Sequence, residues 1–163
     1  MSSIEMGGRQ GGFTMVELIV VVVLLGIVAI MALPKLGDMN DYRALSFRDR
    51  LAAELRYAQK TATSHRRVVC IKFISASMTM TLSVATASGS GMACTALLPL
   101  PDGSSGVTSP NVGSVTLVGM PAVTYVQPDG RFTRDLAGTT NASLSLSVNG
   151  LPLSVEGSTG YVN

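Results

Sequence analysis

The distribution of hydrophobic and polar residues divides the chain into three stretches with different periods. Residues 18–33 (LIVVVVLLGIVAIMAL) contain no charged residue, and residues 13–16 lie before them as a further apolar segment. Together they approach the roughly 20 residues of a helix that crosses a bilayer core of about 30 Å. The first stretch is therefore predicted to be a transmembrane helix.

The second stretch, residues 38–64, is amphipathic. Its apolar residues recur at helical spacing, and its charged residues largely lie elsewhere around the helix. The apolar stripe comprises Leu45, Leu51, Ala52, Leu55, Ala58 and Ala62. We expect this stripe to pack on a sheet. The alternative role of this stretch is a basic patch that contacts lipid head groups or acidic neighbours.

The third stretch begins after Arg67, where the period changes to two. Apolar and polar residues alternate in residues 69–73, 78–84 and 143–148, a pattern typical of half-buried antiparallel strands. Shorter candidate strands lie at 114–118, 123–126, 153–156 and 160–162. The chain is thus predicted to be an α+β protein. A long N-terminal helix, with a transmembrane half and an amphipathic half, packs on an antiparallel β-sheet head.

Composition narrows the function classes. The chain has 163 residues, enough for one domain with its own core, and 13% of them are charged. Nine Lys or Arg residues and four acids lie between Lys35 and Lys72, whereas two Arg and four acids follow from Phe73 onward. The net charge of +2 does not by itself indicate nucleic acid or an acidic surface as a partner.

The start of the apolar run contains a motif. It reads Gly12-Phe13-Thr14-Met15-Val16-Glu17-Leu18, with Gly26 and Pro34 downstream. Small residues precede the apolar run, so cleavage there leaves the helix on the mature protein, unlike an ordinary secretory signal. This motif resembles the type IV pilin and type II secretion pseudopilin superfamily. The resemblance implies cleavage between Gly12 and Phe13 by the prepilin peptidase, and N-methylation of Phe13.

Four segments follow from this resemblance. They are a prepilin leader (1–12), a transmembrane and assembly helix (13–33), the amphipathic half of the stem (34–66) and a β-rich periplasmic head (67–163). The expected location is the bacterial inner membrane, as a single-pass protein with its head in the periplasm, and then the pilus or pseudopilus. The expected partners are other pilin or pseudopilin subunits, the prepilin peptidase and the membrane.

Glu17 is the costly residue of the helix. A carboxylate at mid-membrane costs roughly 2.5–3.5 kcal/mol on insertion scales, and such residues usually have a function. Cleavage creates a cation, the α-amine of Phe13, about 6 Å away along the helix axis. Glu17 is predicted to bind either its own amine or that of a neighbouring subunit. The second pairing would set the register of assembly, as a single polar residue does in a coiled coil.

Gly26 and Pro34 are predicted to weaken the helix. Proline cannot donate a helix hydrogen bond, and glycine costs about 1 kcal/mol relative to alanine. Two readings remain: a bendable stem that adapts between membrane and filament, or a proline that only marks the membrane exit.

Cys70 and Cys94 are the two cysteines of the chain. In an oxidising compartment they are expected to form one disulfide, whereas in the cytosol they would more often be free thiols. With two cysteines and one histidine, no metal site is predicted.

The head resembles the GspH/FimT subgroup of minor pseudopilins and pilins, more weakly than the stem resembles its superfamily. The resemblance rests on the hydrophobic-Pro-Asp-Gly turn in residues 126–132 and on the ending at residues 153–162. An MSHA-type minor pilin is one plausible member. The leading predicted function is a minor structural subunit that initiates or caps a type IV pilus or a type II secretion pseudopilus.

DNA uptake is the alternative function. FimT-like competence pilins have a Gly-Arg-x-Arg element near the C-terminal end, whereas the terminal hairpin here reads Gly160-Tyr161-Val162-Asn163. Arg131 and Arg134 are the candidate nucleic-acid contacts, but their spacing differs and an Asp lies on each side of the pair. Because DNA affinity needs several phosphate contacts, nucleic acid is the weaker prediction.

Catalysis is not predicted. The sequence shows no Ser-His-Asp order, no Gly-rich phosphate loop and no placed carboxylate pair. Its single histidine, His65, is expected at the surface near a helix end. We therefore expect neither an enzyme nor a cofactor.

Overall fold

The computed structural model describes residues 13–32, 39–108 and 115–163. The chain divides into two compact units with their boundary between Met39 and Asn40. Helix α1 (Met15–Ala32) lies in the first unit, and helix α2 (Met39–His65) lies almost entirely in the second. The strands of the second unit are β1 (Val69–Ile74), β2 (Thr79–Ala85), β3 (Cys94–Leu97), β4 (Val107–Thr108), β5 (Leu117–Val118), β6 (Val123–Val126), β7 (Phe132–Thr133), β8 (Leu144–Val148) and β9 (Leu151–Val155).

Helix α2 buries one face, as its apolar spacing predicts. Leu51, Leu55, Ala58 and Ala62 are fully buried and belong to the core of the head. The predicted stripe is wrong at its first position, because Leu45 is 44% exposed while Ala44 and Phe47 are buried. Phe47 lies four residues before Leu51, and Ala44 lies three residues before Phe47. At this helical spacing both residues continue the buried face.

Two antiparallel sheets complete the head. The first has the strand order β3-β2-β1-β6-β7, with β4 also paired to β2, and the second has the order β5-β8-β9. The inner sides of both sheets contribute to one hydrophobic cluster with α2, which includes Ile71, Leu82, Val126 and Leu153. The hydrophobic effect of this shared cluster holds the helix on the sheets.

Short turns connect the strands where the sequence predicts them. Asn149 and Gly150 join β8 to β9, and both have positive φ, of 49° and 84°. Such values are required by the tight hairpin turn for which Asn-Gly is the preferred pair. Between β6 and β7, the N–H of Gly130 donates to the carbonyl oxygen of Gln127 at 2.9 Å.

The predicted α+β class, with an N-terminal helix packed on an antiparallel sheet, is confirmed. Within the described residues the helical part consists of α1 and α2 as separate elements. The division into leader, transmembrane helix, amphipathic half and head stays a prediction.

Candidate assembly site

Helix α1 begins with a side-chain cap. Thr14 precedes the helix, and its Oγ1 accepts a hydrogen bond from the backbone N–H of Glu17 at 3.2 Å. Thr14 and Glu17 have the spacing of a capping box, in which Ser or Thr precedes the helix and Glu follows three residues later. The sequence reasoning above overlooked this role of Thr14, although the Thr-x-x-Glu spacing was a signal for it.

Glu17 occupies the first turn of α1, where a negative charge interacts favourably with the helix dipole. Among the residues that the structure describes, no hydrogen-bond or ion-pair partner of its carboxylate is recorded. The predicted pairing with an α-amine therefore stays a prediction. The carboxylate is available to a group outside the described chain.

The side chains of α1 are exposed around the whole helix. Every residue from Phe13 to Ala29 is classed as exposed, and Phe13 has 82% of its surface accessible. A helix that is apolar on all sides is normally buried, either inside a large assembly or in a membrane.

Among the described residues, no helix meets the combined length and hydropathy expected of a membrane span.

Gly12 of the predicted cut site and Pro34 of the predicted kink lie outside the described residues. Gly26 lies within α1, and a methyl group at its position would meet open space. The cut site and the kink therefore stay predictions.

The two head segments that carry the GspH/FimT resemblance meet on α2. Gln59 of α2 donates from its Nε2 to the carbonyl oxygen of Gly130, at 3.2 Å, and to that of Thr159, at 3.1 Å. A Cβ at Gly160, which has a φ of 74°, would overlap with Gln59 and with Gly130. Gln59 thus links the Pro-Asp-Gly turn to the closing segment, and glycine is needed for the close approach.

The predicted cysteine pair forms a disulfide. It joins Cys70 of β1 to Cys94 at the start of β3, with 6.0 Å between their Cα atoms. In the sheet order β2 lies between these two strands, so the bond ties three neighbouring strands together at one end.

The two candidate nucleic-acid contacts have different surroundings. Arg131 is held within the head, because its Nε lies 2.7 Å from Oδ2 of Asp129 and its Nη1 donates to Asn141. Burial opposes ionisation of Asp129, but hydrogen bonds from Arg131 and its charge outweigh this and lower the pKa of that carboxyl. Arg134 is exposed, and no side-chain partner is recorded for it among the described residues. The charge of Arg131 is therefore already paired within the head, whereas that of Arg134 faces solvent.

Glu54 is a buried acid of α2 that the sequence reasoning missed. It is 7% exposed, and its Oε2 has no hydrogen-bond partner among the described residues. Burial raises the pKa of Glu54, the negative charge of Asp102 raises it further, and Arg50, which is paired with Asp102, partly lowers it. Its amphipathic setting predicted a surface charge, whereas the folded head buries it.

Glu54→Gln is expected to raise the free energy of unfolding at neutral pH. Because the folded-state pKa of Glu54 is raised, the wild-type head loses stability as the pH rises from the unfolded value of 4.5 through that raised pKa. Glutamine cannot ionise, so the gain should disappear on acidification below 4.5. Urea denaturation from pH 4 to 8 measures this.

Glu156→Gln is the matched control for Glu54→Gln, since it removes one negative charge at an exposed position of the head. Equal stabilisation by both variants, or a gain of Glu54→Gln that persists in acid, would contradict the assignment to burial.

Residues 7–33 match the family model described as the prokaryotic N-terminal methylation motif. No curated protein sequence matches the chain significantly. The match covers the predicted cut site and the apolar run behind it.

Two kinds of solved structure resemble the fold. The type IV minor pilin FimU of Pseudomonas aeruginosa (strain PAO1) aligns with a TM-score of 0.54 and 15% identity, over 76% of this chain and 88% of FimU. The minor pseudopilin EpsH from the type 2 secretion system of Vibrio cholerae aligns with a TM-score of 0.52 and 10% identity, over 74% of this chain and 94% of EpsH. At these identities the alignments show a shared fold. With the motif, they confirm the superfamily resemblance predicted from the sequence.

Proposed function

We propose that this chain, with the N-terminal methylation motif and the fold of minor pilins and pseudopilins, is a minor structural subunit that initiates or caps a type IV pilus or type II secretion pseudopilus. The observation that carries the proposal is the exposed apolar surface of α1 behind that motif. A surface of this kind is stable only when lipid or other apolar helices cover it.

The proposed sequence of events uses both covers. The precursor sits in the bacterial inner membrane as a single-pass protein, with residues 13–33 in the bilayer and its head in the periplasm. The prepilin peptidase cuts between Gly12 and Phe13, and the new amine is methylated. The helix then leaves lipid for a bundle of similar helices, with Glu17 as the polar contact that sets their register. The disulfide supports this location, since such bonds persist in the periplasm.

The wild-type chain, isolated from membranes that contain a prepilin peptidase, is expected to begin at a methylated Phe13. Intact mass and N-terminal sequencing measure this. A photo-cross-linker in place of Val22, which is 60% exposed in α1, should then capture other subunits that have the same motif.

Gly12→Val is the control. This precursor should keep Met1 at its start and should give no subunit cross-links from position 22, while its head remains folded. A wild-type chain that begins at Met1, or that has lost residues 13–33, would contradict the proposal.

A further inference from the structure

A cavity of about 390 Å³ lies between the two sheets of the head. Its lining comes from β6, β8, the segments that flank them and the residue after β7. Its apolar part includes Pro121, Val123, Ala142 and Leu144. This volume is within the range of roughly 300–1,000 Å³ that is typical of small-molecule pockets. We call it the seam cavity.

Thr124 is the buried polar residue of the seam cavity. It is 1% exposed, and its Oγ1 has no hydrogen-bond partner among the described residues. Most buried hydroxyl groups are paired, so this one calls for an explanation. Because Thr124 lines the cavity, a ligand held there is one candidate for the missing partner.

Arg134 is the charged residue of the same lining. Its backbone N–H donates to Thr140, but no hydrogen bond or ion pair of its guanidinium is recorded among the described residues. The ladder of β6 and β7 pairs Tyr125 with Thr133, so the next pair of positions brings Thr124 and Arg134 together. None of the described residues that line the cavity is acidic, so Arg134 has no competing carboxylate among them.

We propose that the seam cavity binds an aliphatic group that ends in a carboxylate. The apolar lining takes the aliphatic part, Arg134 pairs with the carboxylate, and the hydroxyl of Thr124 donates a hydrogen bond to it. Two sources have this chemistry: a free branched carboxylic acid, and the C-terminal residue of a partner protein. The proposal concerns the head and does not depend on the function proposed for α1.

Calorimetric titration of the full chain in lipid nanodiscs tests the proposal. The probes are 4-methylpentanoate, for a free acid, and N-acetyl-glycyl-leucine, for a protein C-terminus. At least one is expected to bind, and the tighter one identifies the source. Their neutral amides should bind about tenfold more weakly or worse, because they lose the charge-assisted pair. Failure of both acids to bind, or equal binding of acid and amide, would overturn the proposal.

Two variants separate binding from structure. Arg134→Gln, at an exposed position, should weaken binding of the acid by about tenfold without changing the Tm of the protein. Thr124→Val should weaken binding of the acid by a smaller factor. It should also raise the Tm of the free protein, since it removes an unpaired buried hydroxyl at nearly constant shape. Lys60→Gln, which removes an exposed cation of α2, should change neither. Unchanged affinity in Arg134→Gln would sink the proposed site.

Discussion

Glu17→Gln is expected to reduce incorporation of the chain into its filament to about a tenth of wild type or less. Loss of a charge-assisted contact in a water-free bundle corresponds to roughly 1.5–3 kcal/mol, or about one to two orders of magnitude in an equilibrium. The same change makes α1 easier to hold in lipid, because it removes a charge whose cost has an upper limit of roughly 2.5–3.5 kcal/mol, the value at the centre of a membrane helix. Anchoring and assembly should therefore respond in opposite directions, which a plain anchor does not predict.

The measurement is the ratio of sheared filament material to membrane-bound chain, with N-terminal processing checked by mass. Thr14→Ala is the matched control for a role of Glu17 that is only structural. This substitution removes the hydroxyl that caps the start of α1, which contributes about 1 kcal/mol to helix stability, and it leaves the carboxylate of Glu17 in place.

If Glu17 serves only to stabilise the first turn of α1, Thr14→Ala should impair incorporation as much as Glu17→Gln does. We expect Thr14→Ala to assemble nearly normally, and Glu17→Asp to be intermediate because the charge remains on a shorter side chain. Normal incorporation of Glu17→Gln would contradict the assembly role.

Replacing both cysteines with serine is expected to lower the free energy of unfolding of the head by about 3–4 kcal/mol. The bond between Cys70 and Cys94, 24 positions apart, restricts a loop of that size in the unfolded chain, which gives this magnitude in the chain-entropy model. The loss is a large fraction of the roughly 5–15 kcal/mol that stabilises a typical domain.

Urea denaturation of the full chain, followed by circular dichroism, measures the effect of the cysteine change. Wild type treated with a reductant is the matched control and should lose about the same amount, whereas the serine variant should not respond to reductant. A loss under about 1 kcal/mol, or both cysteines found as free thiols in exported protein, would contradict the expected role of the bond.

The sequence predicted the elements that repeat one period over several residues. Helix α2 and strands β1, β2, β8 and β9 each have enough positions for helical spacing or alternation to be visible. Strands β4 and β7 have two residues each, too few for an alternation, and they exist only because a partner strand aligns them. The exposure of Leu45 was missed because the phase of the stripe depends on which face of α2 meets the sheets.

The candidate sites also differ in whether local sequence or only the fold reveals them. Glu17 and the cysteine pair were evident from local sequence, since a charge in an apolar run and a pair of thiols are visible without a fold. The contact of Gln59 with Gly130 joins residues 71 positions apart, and the closeness of Thr124 and Arg134 depends on the register of two short strands. Neither leaves a local signal, because hydrogen-bonding side chains and small polar residues are common on any helix or strand.

The even exposure of α1 has a consequence for how such subunits fit together. A helix without a preferred apolar side can rotate about its own axis against its neighbours at little cost. The pairing proposed for Glu17, near the start of the helix, would fix how far it slides along that axis. The position of α1 along the bundle axis would then be specified, while its rotation about its own axis would be left free. A subunit of this kind can lie beside helices of different sequence, as the proposed role of initiating or capping a filament of several subunit types would require.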